Sequence, residues 1–399
     1  MKIHLCIVTE QPLANLIPIL QEKPDRIALA VSAPMEAAAE RFRNVLQHTG
    51  WSKTQVDSFH ELPDNNYESI ADKALEIEDE LRSAYPDAEL VYNATGGNKL
   101  MTMAFMAVFD SPTPDTNRII YTDTQHTNIE SVRPRQAPTP MASVMSLDVY
   151  LKAQGKTLRK RDDADDERKD RMKRRKPLTK FLARNASALE GLIGQINTTF
   201  ASDNNDSSRL TVLELTRPPK GPWLKALEQM EEHQLIERVD ETLQTWSPLS
   251  SQGTDYLTGG WLEEYVWFSA RDCGAEDVAL SPEFTDDYQS NANIRNEIDV
   301  TVLHRNRLLM IECKTGNVTR DGKDQDIVYK LDSLVDQVGG RLGKGMLVSF
   351  RELEHRTREG RDVNTGARAA SVDLLTCEKD GLSRLDQQIQ QWLDVSQGG

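Results

Sequence analysis

The residues of this chain that are best suited to chemistry lie within 296–316, which reads NEIDVTVLHRNRLLMIECKTG. Two runs of alternating apolar residues flank the letters HRNR, and this pattern predicts a β-hairpin. With the loop centred between Arg305 and Asn306, Asp299 on the first strand faces Glu312 on the second. The same alternation gathers valine and isoleucine side chains on the reverse face, which is therefore expected to be buried.

The other face of the predicted hairpin carries Glu297, Asp299, Glu312 and Lys314, and the register places Glu297 opposite Lys314. Opposed carboxylates about 5 Å apart repel each other unless a cation or hydrogen-bond donors offset the repulsion. A divalent metal ion does so, and hard oxygen ligands on a half-open site suit Mg²⁺ or Mn²⁺. Lys314 is placed to orient or help deprotonate the attacking water and to stabilise charge on a phosphorane-like transition state.

A third carboxylate is expected from outside the hairpin, and Glu263 in the helical segment GGWLEEY is the candidate. Leu262 and Val266, at positions i and i+4, bury one stripe of this helix and leave Glu263 on a neighbouring stripe. Glu264 is the alternative ligand. The predicted catalytic residues are therefore Glu263, Asp299, Glu312 and Lys314, of which the three carboxylates are the predicted metal ligands.

This pattern of Asp299, Glu312-Cys313-Lys314 and an upstream helical glutamate resembles the PD-(D/E)xK nuclease superfamily. The position before Asp299 is isoleucine where the motif has proline. A glutamate and a lysine two residues apart on a strand also arise without function, as a cross-strand salt bridge on a solvated face. The apolar reverse face and the register-matched Asp299 favour the nuclease interpretation.

Residues 1–145 alternate between strand-like and helix-like segments. The runs KIHLCIVTE, RIALAVSA, AELVYNAT and RIIYTDT are apolar nearly throughout, and helices are predicted over 13–21, 35–49, 67–84 and 101–109. Buried strands separated by helices imply a parallel sheet that is covered on both faces, the doubly wound α/β class. Ligands of this class bind beyond the carboxyl ends of the strands.

The turn 93–99, NATGGNK, connects one of these strands to an apolar helix. Its paired glycines let backbone N–H groups approach a ligand, the helix N-terminus favours a phosphate, and Lys99 adds positive charge. Because the motifs G-x-G-x-x-G and G-x-x-x-x-G-K-[ST] are absent, neither a dinucleotide nor a Walker-type triphosphate site is supported. The alternative is a tight turn in which Thr95 or Asn98 caps the helix. The other strand-end loops contribute further candidate ligand-binding residues: Thr9, Glu10, Gln11, Ser32, Ala33 and Thr122.

The composition restricts the classes of protein to be considered. The 399 residues include 48 Lys+Arg and 63 Asp+Glu, so the formal net charge of −15 argues against a protein that coats nucleic acid by bulk charge. A hydrophobic fraction of 38%, without a run of about 20 apolar residues, argues against a membrane protein. The start MKIHLCIVTEQ lacks the features of a signal peptide, and the four scattered cysteines form no C-x-x-C pair, so we expect a cytoplasmic protein with reduced thiols.

The middle of the chain is less informative. Residues 159–176, RKRDDADDERKDRMKRRK, form a charge run without an apolar face, and they predict a domain boundary. A solvated helix or linker is the favoured interpretation of this run, and a basic face for polynucleotides at 173–176 is the alternative. Residues 209–248 fit either a small winged-helix-like module or a simple helical connector.

The N-terminal half, with its T-G-G-N-K turn, resembles the CARF domain, the CRISPR-associated Rossmann fold. Joined to the G-G-W-L-E and E-x-K segments, the whole chain resembles the CARF nucleases of type III CRISPR defence, the Card and Can kind. The resemblance implies a homodimer whose paired CARF domains bind cyclic tetra-adenylate and thereby activate metal-dependent cleavage of nucleic acid. It also implies activator-binding roles for Asn93, Thr95, Gly96, Gly97, Asn98 and Lys99.

These features predict an α/β chain with a Rossmann-like CARF domain at 1–148, a charged linker and helical or winged-helix-like connector at 149–254, and a PD-(D/E)xK restriction-endonuclease-like α/β domain at 255–399. The predicted function is a cyclic tetra-adenylate-activated, metal-dependent endonuclease acting on RNA or DNA. One alternative is a CARF-type transcription regulator with a degenerate nuclease fold, although the acidic run QMEEHQLIERVDE is unlike a basic recognition helix. The other is a stand-alone repair or restriction-type nuclease. The sequence leaves open the nucleic-acid target, the ring size of the activator and whether the CARF domain degrades it.

Overall fold

The computed structural model describes residues 1–110, 117–200, 212–242, 244–288, 295–316, 323–356 and 362–394. The N-terminal part alternates strands and helices along the chain. In order, these are β1 (Lys2–Ile7), α1 (Leu13–Glu22), β2 (Arg26–Ala30), α2 (Glu36–His48), β3 (Val56–Phe59), α3 (Tyr67–Ala84), β4 (Glu89–Asn93), α4 (Lys99–Phe109), β5 (Asn117–Asp123), β6 (Asn128–Arg133), β7 (Gln136–Pro140) and α5 (Leu147–Ala153).

The N-terminal strands form one sheet in the order β3-β2-β1-β4-β5-β6-β7. Strands β1 to β5 are parallel, whereas β6 and β7 are antiparallel. The predicted doubly wound class is confirmed, and the antiparallel edge is an addition that the sequence reading did not include. The strand order reverses between β1 and β4, so the crevice at which such sheets bind ligands lies beyond the ends of these two strands.

Helix α3 illustrates how local sequence produces these elements. The side chain of Asn66 caps its N-terminus by accepting hydrogen bonds from the backbone N–H groups of Glu68 and Ser69. Ile70, Ala74, Ile77 and Leu81, which recur at helical spacing, are all buried against the sheet. The predicted bounds of this helix agree with the structure.

The middle of the chain consists of helices and a small antiparallel sheet. Its elements are β8 (Lys156–Lys160), α6 (Asp166–Arg184), α7 (Ala186–Phe200), β9 (Leu213–Glu214), α8 (Pro222–Glu232), β10 (Ile236–Arg238) and β11 (Thr245–Pro248). The three-stranded sheet has the order β10-β11-β9, so this segment is more than a helical connector. Its buried residues belong to the same hydrophobic cluster as the C-terminal sheet, so the two parts share a core.

The charge run 159–176 differs from the expectation of a solvated segment. Met172 within it is fully buried, and Arg175 pairs with the buried carboxylate of Glu264 on the C-terminal part. The guanidinium of Arg175 also lies 4.1 Å from the ring centre of Tyr256. The prediction that this run has no buried face was therefore wrong, because the side chain of Met172 is buried and the ion pair of Arg175 attaches helix α6 to the C-terminal part.

The C-terminal part contains a mixed sheet in the order β12-β15-β16-β17-β20. Its elements are α9 (Ser251–Asp255), a π-helical turn (Tyr256–Gly260), α10 (Trp261–Asp272), β12 (Asp277–Leu280), β13 (Glu283–Asp286), β14 (Arg295–Glu297), β15 (Val300–His304), β16 (Arg307–Lys314), α11 (Lys323–Leu334), a π-helical turn (Val335–Gly339), β17 (Gly343–Ser349), β18 (Glu354–Arg356), β19 (Asp362–Asn364), α12 (Thr365–Ser371), β20 (Leu375–Cys377) and α13 (Leu385–Asp394). Strand β16 is antiparallel to β15 and parallel to β17.

Both faces of the C-terminal sheet are buried. One face packs against α10, α13 and the middle helices, through residues such as Val300, Ile311 and Val348. The opposite face, which includes Leu303 and Met310, belongs to a hydrophobic cluster that continues into α1, α2 and α5 of the N-terminal part. The N-terminal and C-terminal parts therefore pack directly on each other through apolar side chains. Within the described residues, no helix is both long and apolar enough to cross a membrane.

Candidate active site and activator pocket

The hairpin that carries the predicted catalytic residues has the register that the sequence predicts. Val300 pairs with Ile311 and His304 with Arg307, so the loop is the two-residue turn Arg305–Asn306. Both turn residues have positive φ, 49° and 61°, as a type I′ turn requires. This turn type matches the twist of the strands and holds the register that brings Asp299, just before β15, to the carboxyl end of β16.

Asp299 lies in the bend just before β15, beside the carboxyl end of β16. Its Oδ2 accepts a 2.6 Å hydrogen bond from the backbone N–H of Cys313, and its carbonyl oxygen accepts one from the N–H of Ser281. The ammonium of Lys314 donates to Oε1 of Glu312 at 2.6 Å and lies 3.8 Å from Oδ2 of Asp299. Two carboxylates and one ammonium thus meet at this edge of the sheet.

The predicted position of Glu297 was wrong. Glu297 belongs to β14, where it pairs with Glu283 in a separate three-stranded sheet, instead of extending β15 opposite Lys314. The chain bends at Ile298 and Asp299, and Ile298 packs into the cluster shared with the N-terminal part. A simple two-residue alternation cannot anticipate this bend, because it is imposed by pairing of β14 with β13.

Helix α10 supplies the third carboxylate, and the choice between its two glutamates follows from burial and charge. Glu263 is in electrostatic contact with Asp299 and Lys314, whereas Glu264 forms an ion pair with Arg175 on the other side of the helix. The hydroxyl of Thr315 donates to the carbonyl oxygen of Thr258 at 2.6 Å, which ties the end of β16 to the π-helical turn that precedes α10. This bond sets the start of α10 beside the hairpin.

The electrostatics of this cluster favour a bound cation. Burial, and then the negative charge of Asp299, raises the pKa of Glu263 to about 8. Burial and the charge of Glu312 raise the pKa of Asp299 to about 6. Although burial disfavours the charged ammonium, the neighbouring Asp299 and Glu312 outweigh it and raise the pKa of Lys314. Three carboxyl groups against one ammonium leave excess negative charge that a divalent ion would neutralise.

The donor set fits Mg²⁺ or Mn²⁺ in its chemistry, since carboxylate oxygens are the ligands that these ions prefer. In the arrangement of the described residues, however, no three histidine, cysteine or acidic side chains converge closely enough to hold an ion. The Nζ of Lys314, hydrogen-bonded to Glu312, lies among the carboxylates. The metal assignment to Glu263, Asp299 and Glu312 therefore stays a prediction.

A second site lies at the carboxyl end of the N-terminal sheet, at the strand-order reversal between β1 and β4. It is a cavity of about 220 Å³. It is lined by Thr9, Gln11, Leu13, Ala14, Asn15, Thr95, Gly96, Gly97, Tyr121, Thr122, Thr124, Arg341 and Leu342. This is the location that the doubly wound class predicts for a ligand.

Half of the predicted binding residues line this cavity, namely Thr9, Gln11, Thr95, Gly96, Gly97 and Thr122. Asn93 lies beneath it, where its Oδ1 accepts hydrogen bonds from the N–H and hydroxyl of Thr95. The remaining predicted residues are absent from the lining: Glu10, Ser32, Ala33, Asn98 and Lys99. Glu10 instead pairs with Arg41, and Asn98 caps α4 by accepting from the N–H of Met101.

The two glycines of the turn also have a structural function. A Cβ at Gly96 would lie 2.2 Å from the carbonyl oxygen of Ile7, and Gly97 has φ of +81°. Asn15 joins the same network, since its side chain donates to the carbonyl of Ile7 and accepts from the amide of Asn93. The turn is therefore packed tightly on the end of β1, which fixes the shape of the cavity floor.

Sequence reasoning missed Arg341 and Leu342, which line the cavity from the segment between α11 and β17. No local signal marks them, because only the packing of the two domains brings this segment to the N-terminal sheet. It also missed Asn306, which is 1% exposed. Asn306 accepts hydrogen bonds from the N–H groups of Val144 and Met145 and donates to the carbonyl of Ala142, so it fastens the hairpin turn to the segment that follows β7.

A Rossmann-like sheet with a ligand-sized cavity, packed on a mixed sheet that bears an acidic cluster and a lysine, defines the class of two-domain CARF nucleases. Two family models match the chain: the Card1 CARF domain at residues 3–150 and the Card1-like endonuclease domain at residues 251–395. The chain thus joins a Card1 CARF domain to a Card1-like endonuclease domain and is a nuclease of the Card1 type.

Solved structures agree with this fold. The chain is similar to the crystal structure of protein VC1899 from Vibrio cholerae, with 22% identity, a TM-score of 0.83 and coverage of 100% of this chain and 99% of that chain. It is also similar to Can2 from Sulfobacillus thermosulfidooxidans in complex with cyclic tetra-adenylate, with 21% identity, a TM-score of 0.74 and coverage of 98% and 99%. A type III CRISPR defence DNA nuclease activated by cyclic oligoadenylate matches with 15% identity and a TM-score of 0.52, over 87% of this chain and 45% of that chain. No curated protein matches the chain.

Proposed function

We propose that this protein is a metal-dependent endonuclease of type III CRISPR defence that cyclic tetra-adenylate activates and that cleaves phosphodiesters of RNA or DNA without strict sequence preference. The observation that carries the proposal is the meeting of Asp299, Glu312 and Lys314 at one edge of a buried sheet, next to a helical glutamate. The sensor function is supported by the cavity of the CARF domain and by the cyclic tetra-adenylate that is bound in the similar Can2 structure.

The catalytic residues act through charge and position. Glu263, Asp299 and Glu312 would hold Mg²⁺ or Mn²⁺, and a bound ion would polarise the scissile phosphate and lower the pKa of an attacking water. Lys314 keeps its proton at neutral pH, since the carboxylates raise its pKa, and its ammonium can stabilise the negative charge that develops on the phosphate. Its hydrogen bond to Glu312 orients the side chain before the substrate arrives.

The role of Asp299 is set by the backbone. The N–H of Cys313 fixes one of its oxygens, so its carboxylate is held against β16 rather than rotating freely in solvent. Because Cys313 itself is buried on the reverse face, the strand cannot turn to break this bond without exposing apolar surface. Asp299 is thereby positioned in advance to bind a metal ion or to accept a hydrogen bond from the attacking water.

The activator-binding proposal assigns the cavity to a cyclic oligonucleotide. The lining is mainly uncharged, with hydroxyls of Thr9, Thr95 and Thr122 and the amide of Gln11 beside the Gly96–Gly97 turn. These groups can hydrogen-bond to phosphate oxygens and to ribose or base edges. A homodimer that places two such cavities across a two-fold axis would match the symmetry of a ring with four phosphates.

The test is a cleavage assay on labelled single-stranded RNA, single-stranded DNA and supercoiled plasmid, with Mn²⁺ or EDTA, and with or without cyclic tetra-adenylate. We expect cleavage of at least one substrate that requires both the metal and the activator. Lys314→Ala is the matched variant, which should lose cleavage and keep activator binding because it lies outside the CARF cavity. Cleavage by Lys314→Ala near the wild-type rate would refute the active site. Metal-dependent cleavage that ignores the activator would select a stand-alone nuclease, and specific duplex binding without cleavage would select a regulator.

A further inference from the structure

The cavity of the CARF domain is closed on one side by the nuclease domain. Arg341 and Leu342 lie between α11 and β17, in the part of the chain that matches the endonuclease model, yet both line the cavity. Arg341 is the charged residue of a lining that otherwise consists of uncharged polar and apolar residues. A cyclic oligonucleotide in this cavity would bring phosphates to a site whose cationic group comes from the other domain.

The side chain of Arg341 is available for such a contact. It is exposed, and it forms no ion pair with any residue that the structure describes. Lys99, the cation expected from the sequence, begins helix α4 and does not line the cavity. Guanidinium groups bind phosphate through two parallel N–H···O bonds, which makes Arg341 the natural anion-binding group here.

The segment that carries Arg341, residues 339–342, is held firmly against the CARF domain, and we call it the 339–342 bridge. The phenol of buried Tyr150 donates a 2.5 Å hydrogen bond to the carbonyl oxygen of Gly339. Gly340 has φ of +53°, and a Cβ there would lie 2.8 Å from Oε1 of Gln11 and 3.1 Å from the side-chain nitrogen of Gln154. Gln11 lines the cavity, so the bridge touches both the pocket wall and the helix that leaves the CARF domain.

The bridge continues directly into the strand next to the catalytic strand. β17 begins at Gly343, where a Cβ would lie 2.3 Å from the Cα of Gly339, so the backbone at this junction has no slack. β17 then pairs in parallel with β16, with Leu347 opposite Glu312 and Ser349 opposite Lys314. A displacement of the bridge therefore reaches the catalytic residues through a close-packed element that does not deform continuously.

We propose that Arg341 binds a phosphate of the cyclic oligoadenylate and that the 339–342 bridge transmits this contact along β17 to Glu312 and Lys314. The inference rests on the proposed function and adds the residue by which the nuclease domain senses the activator. Because the activator would touch both domains, its binding free energy would depend on their relative position. A ligand that binds one arrangement of the domains more tightly than another favours that arrangement, and this difference in binding free energy is what couples activator binding to the nuclease site.

The test uses the full-length chain and cyclic tetra-adenylate as the probe. Activator affinity is measured in EDTA, where no cleavage occurs, and activation is measured as the activator concentration for half-maximal cleavage with Mn²⁺. We expect Arg341→Ala to weaken binding by about 10- to 100-fold, the effect of losing a charge-assisted hydrogen-bonded contact. Arg341→Lys keeps the positive charge but loses the paired N–H donors of the guanidinium, so its activator affinity should lie between those of the wild type and Arg341→Ala. Arg135→Ala, which removes an exposed guanidinium that does not line the cavity, is the matched control.

The outcomes separate this inference from the proposed function. Wild-type affinity and activation in Arg341→Ala would overturn the role of Arg341 and leave the proposed function standing. Weakened binding with a full maximal rate at saturating activator would support the phosphate contact and overturn the transmission along β17. Weakened binding together with a reduced maximal rate supports both. A wild-type chain that neither binds the activator nor responds to it would overturn the proposed function and this inference with it.

Discussion

The two adjacent glutamates of helix α10 should respond to neutralisation in opposite directions. Glu263 is partly buried beside Asp299 and its pKa is raised to about 8, so in the absence of metal its negative charge destabilises the folded state at high pH. Glu264 is buried in an ion pair with Arg175; burial raises its pKa in spite of this pairing, but removing its charge would leave the guanidinium of Arg175 without its partner. We therefore expect Glu263→Gln to stabilise the metal-free protein at pH 9 and Glu264→Gln to destabilise it.

The sign and the pH window follow from proton linkage. The unfolded chain releases the Glu263 proton near the ordinary value of 4.5, whereas the folded protein keeps it up to about 8. Between these values the folded state binds more protons at Glu263, so the contribution of Glu263 to the free energy of unfolding falls as pH rises and levels off above about pH 8. Glutamine has no proton to release, so the advantage of Glu263→Gln should grow from pH 5.5 to pH 9.

The magnitude is bounded by the size of the pKa shift. A rise from 4.5 to about 8 corresponds to at most about 5 kcal/mol, at about 1.36 kcal/mol per pKa unit. Relaxation of the neighbouring carboxylates reduces this, and we expect about 1–2 kcal/mol at pH 9, or an increase in Tm of about 1–3 °C for a chain of this length. For Glu264→Gln, which leaves the charge of Arg175 without its partner, we expect a loss of about 3 kcal/mol.

The assay is thermal unfolding in EDTA at constant ionic strength, with the wild type and both variants at several pH values. Adding Mn²⁺ should then raise the Tm of the wild type more than that of Glu263→Gln, because the variant lacks one proposed ligand. A lower Tm of Glu263→Gln at pH 9 in EDTA, or a difference from wild type that does not change with pH, would refute the crowded-carboxylate reasoning. If Mn²⁺ raises the Tm of Glu263→Gln as much as that of the wild type, Glu263 is not a metal ligand.

Two further predictions concern packing around the two sites. Asn306→Ala should lower the free energy of unfolding by about 2–4 kcal/mol, because it removes three hydrogen bonds to the segment 142–145 and leaves those backbone groups unsatisfied. The measurement is calorimetry, and an unchanged Tm would contradict this prediction. Gly96→Ala should destabilise the CARF domain and weaken activator binding, because its Cβ would meet the carbonyl oxygen of Ile7 at 2.2 Å. Gly366→Ala, where the nearest atom lies at an ordinary 3.5 Å, is the control and should unfold like the wild type.

The hairpin of the candidate active site was predictable because its determinants are local. The alternation within β15 and β16 and the two-residue turn specify the register of the hairpin, whereas the apolar stripe of α10 only favours Glu263 over Glu264 as the third carboxylate. The location of the CARF cavity was predictable for a similar reason, since parallel strands separated by helices place ligands at their carboxyl ends. In these cases, one or two neighbouring elements settle the geometry.

The failures have a common physical cause in contacts between distant segments. Glu297 leaves the hairpin because β14 pairs with β13, and the charge run 159–176 is docked because Arg175 meets Glu264. Arg341, which the sequence did not mark, lines the CARF cavity because the nuclease domain packs against the end of the CARF sheet. In each case the local sequence around one segment does not indicate which distant segment it contacts.

By itself, the sequence determined the elements of this protein, the register of its hairpin and the types of residue available for phosphodiester chemistry, because propensity, alternation and turn geometry act over a few residues. Only the tertiary structure decided which of those residues share a site. The burial of apolar faces from both domains in one cluster aligns the CARF cavity with β17, and burial of charge decides that Glu263 faces the hairpin while Glu264 faces Arg175. Burial depends on the whole packed chain, so no local pattern records it.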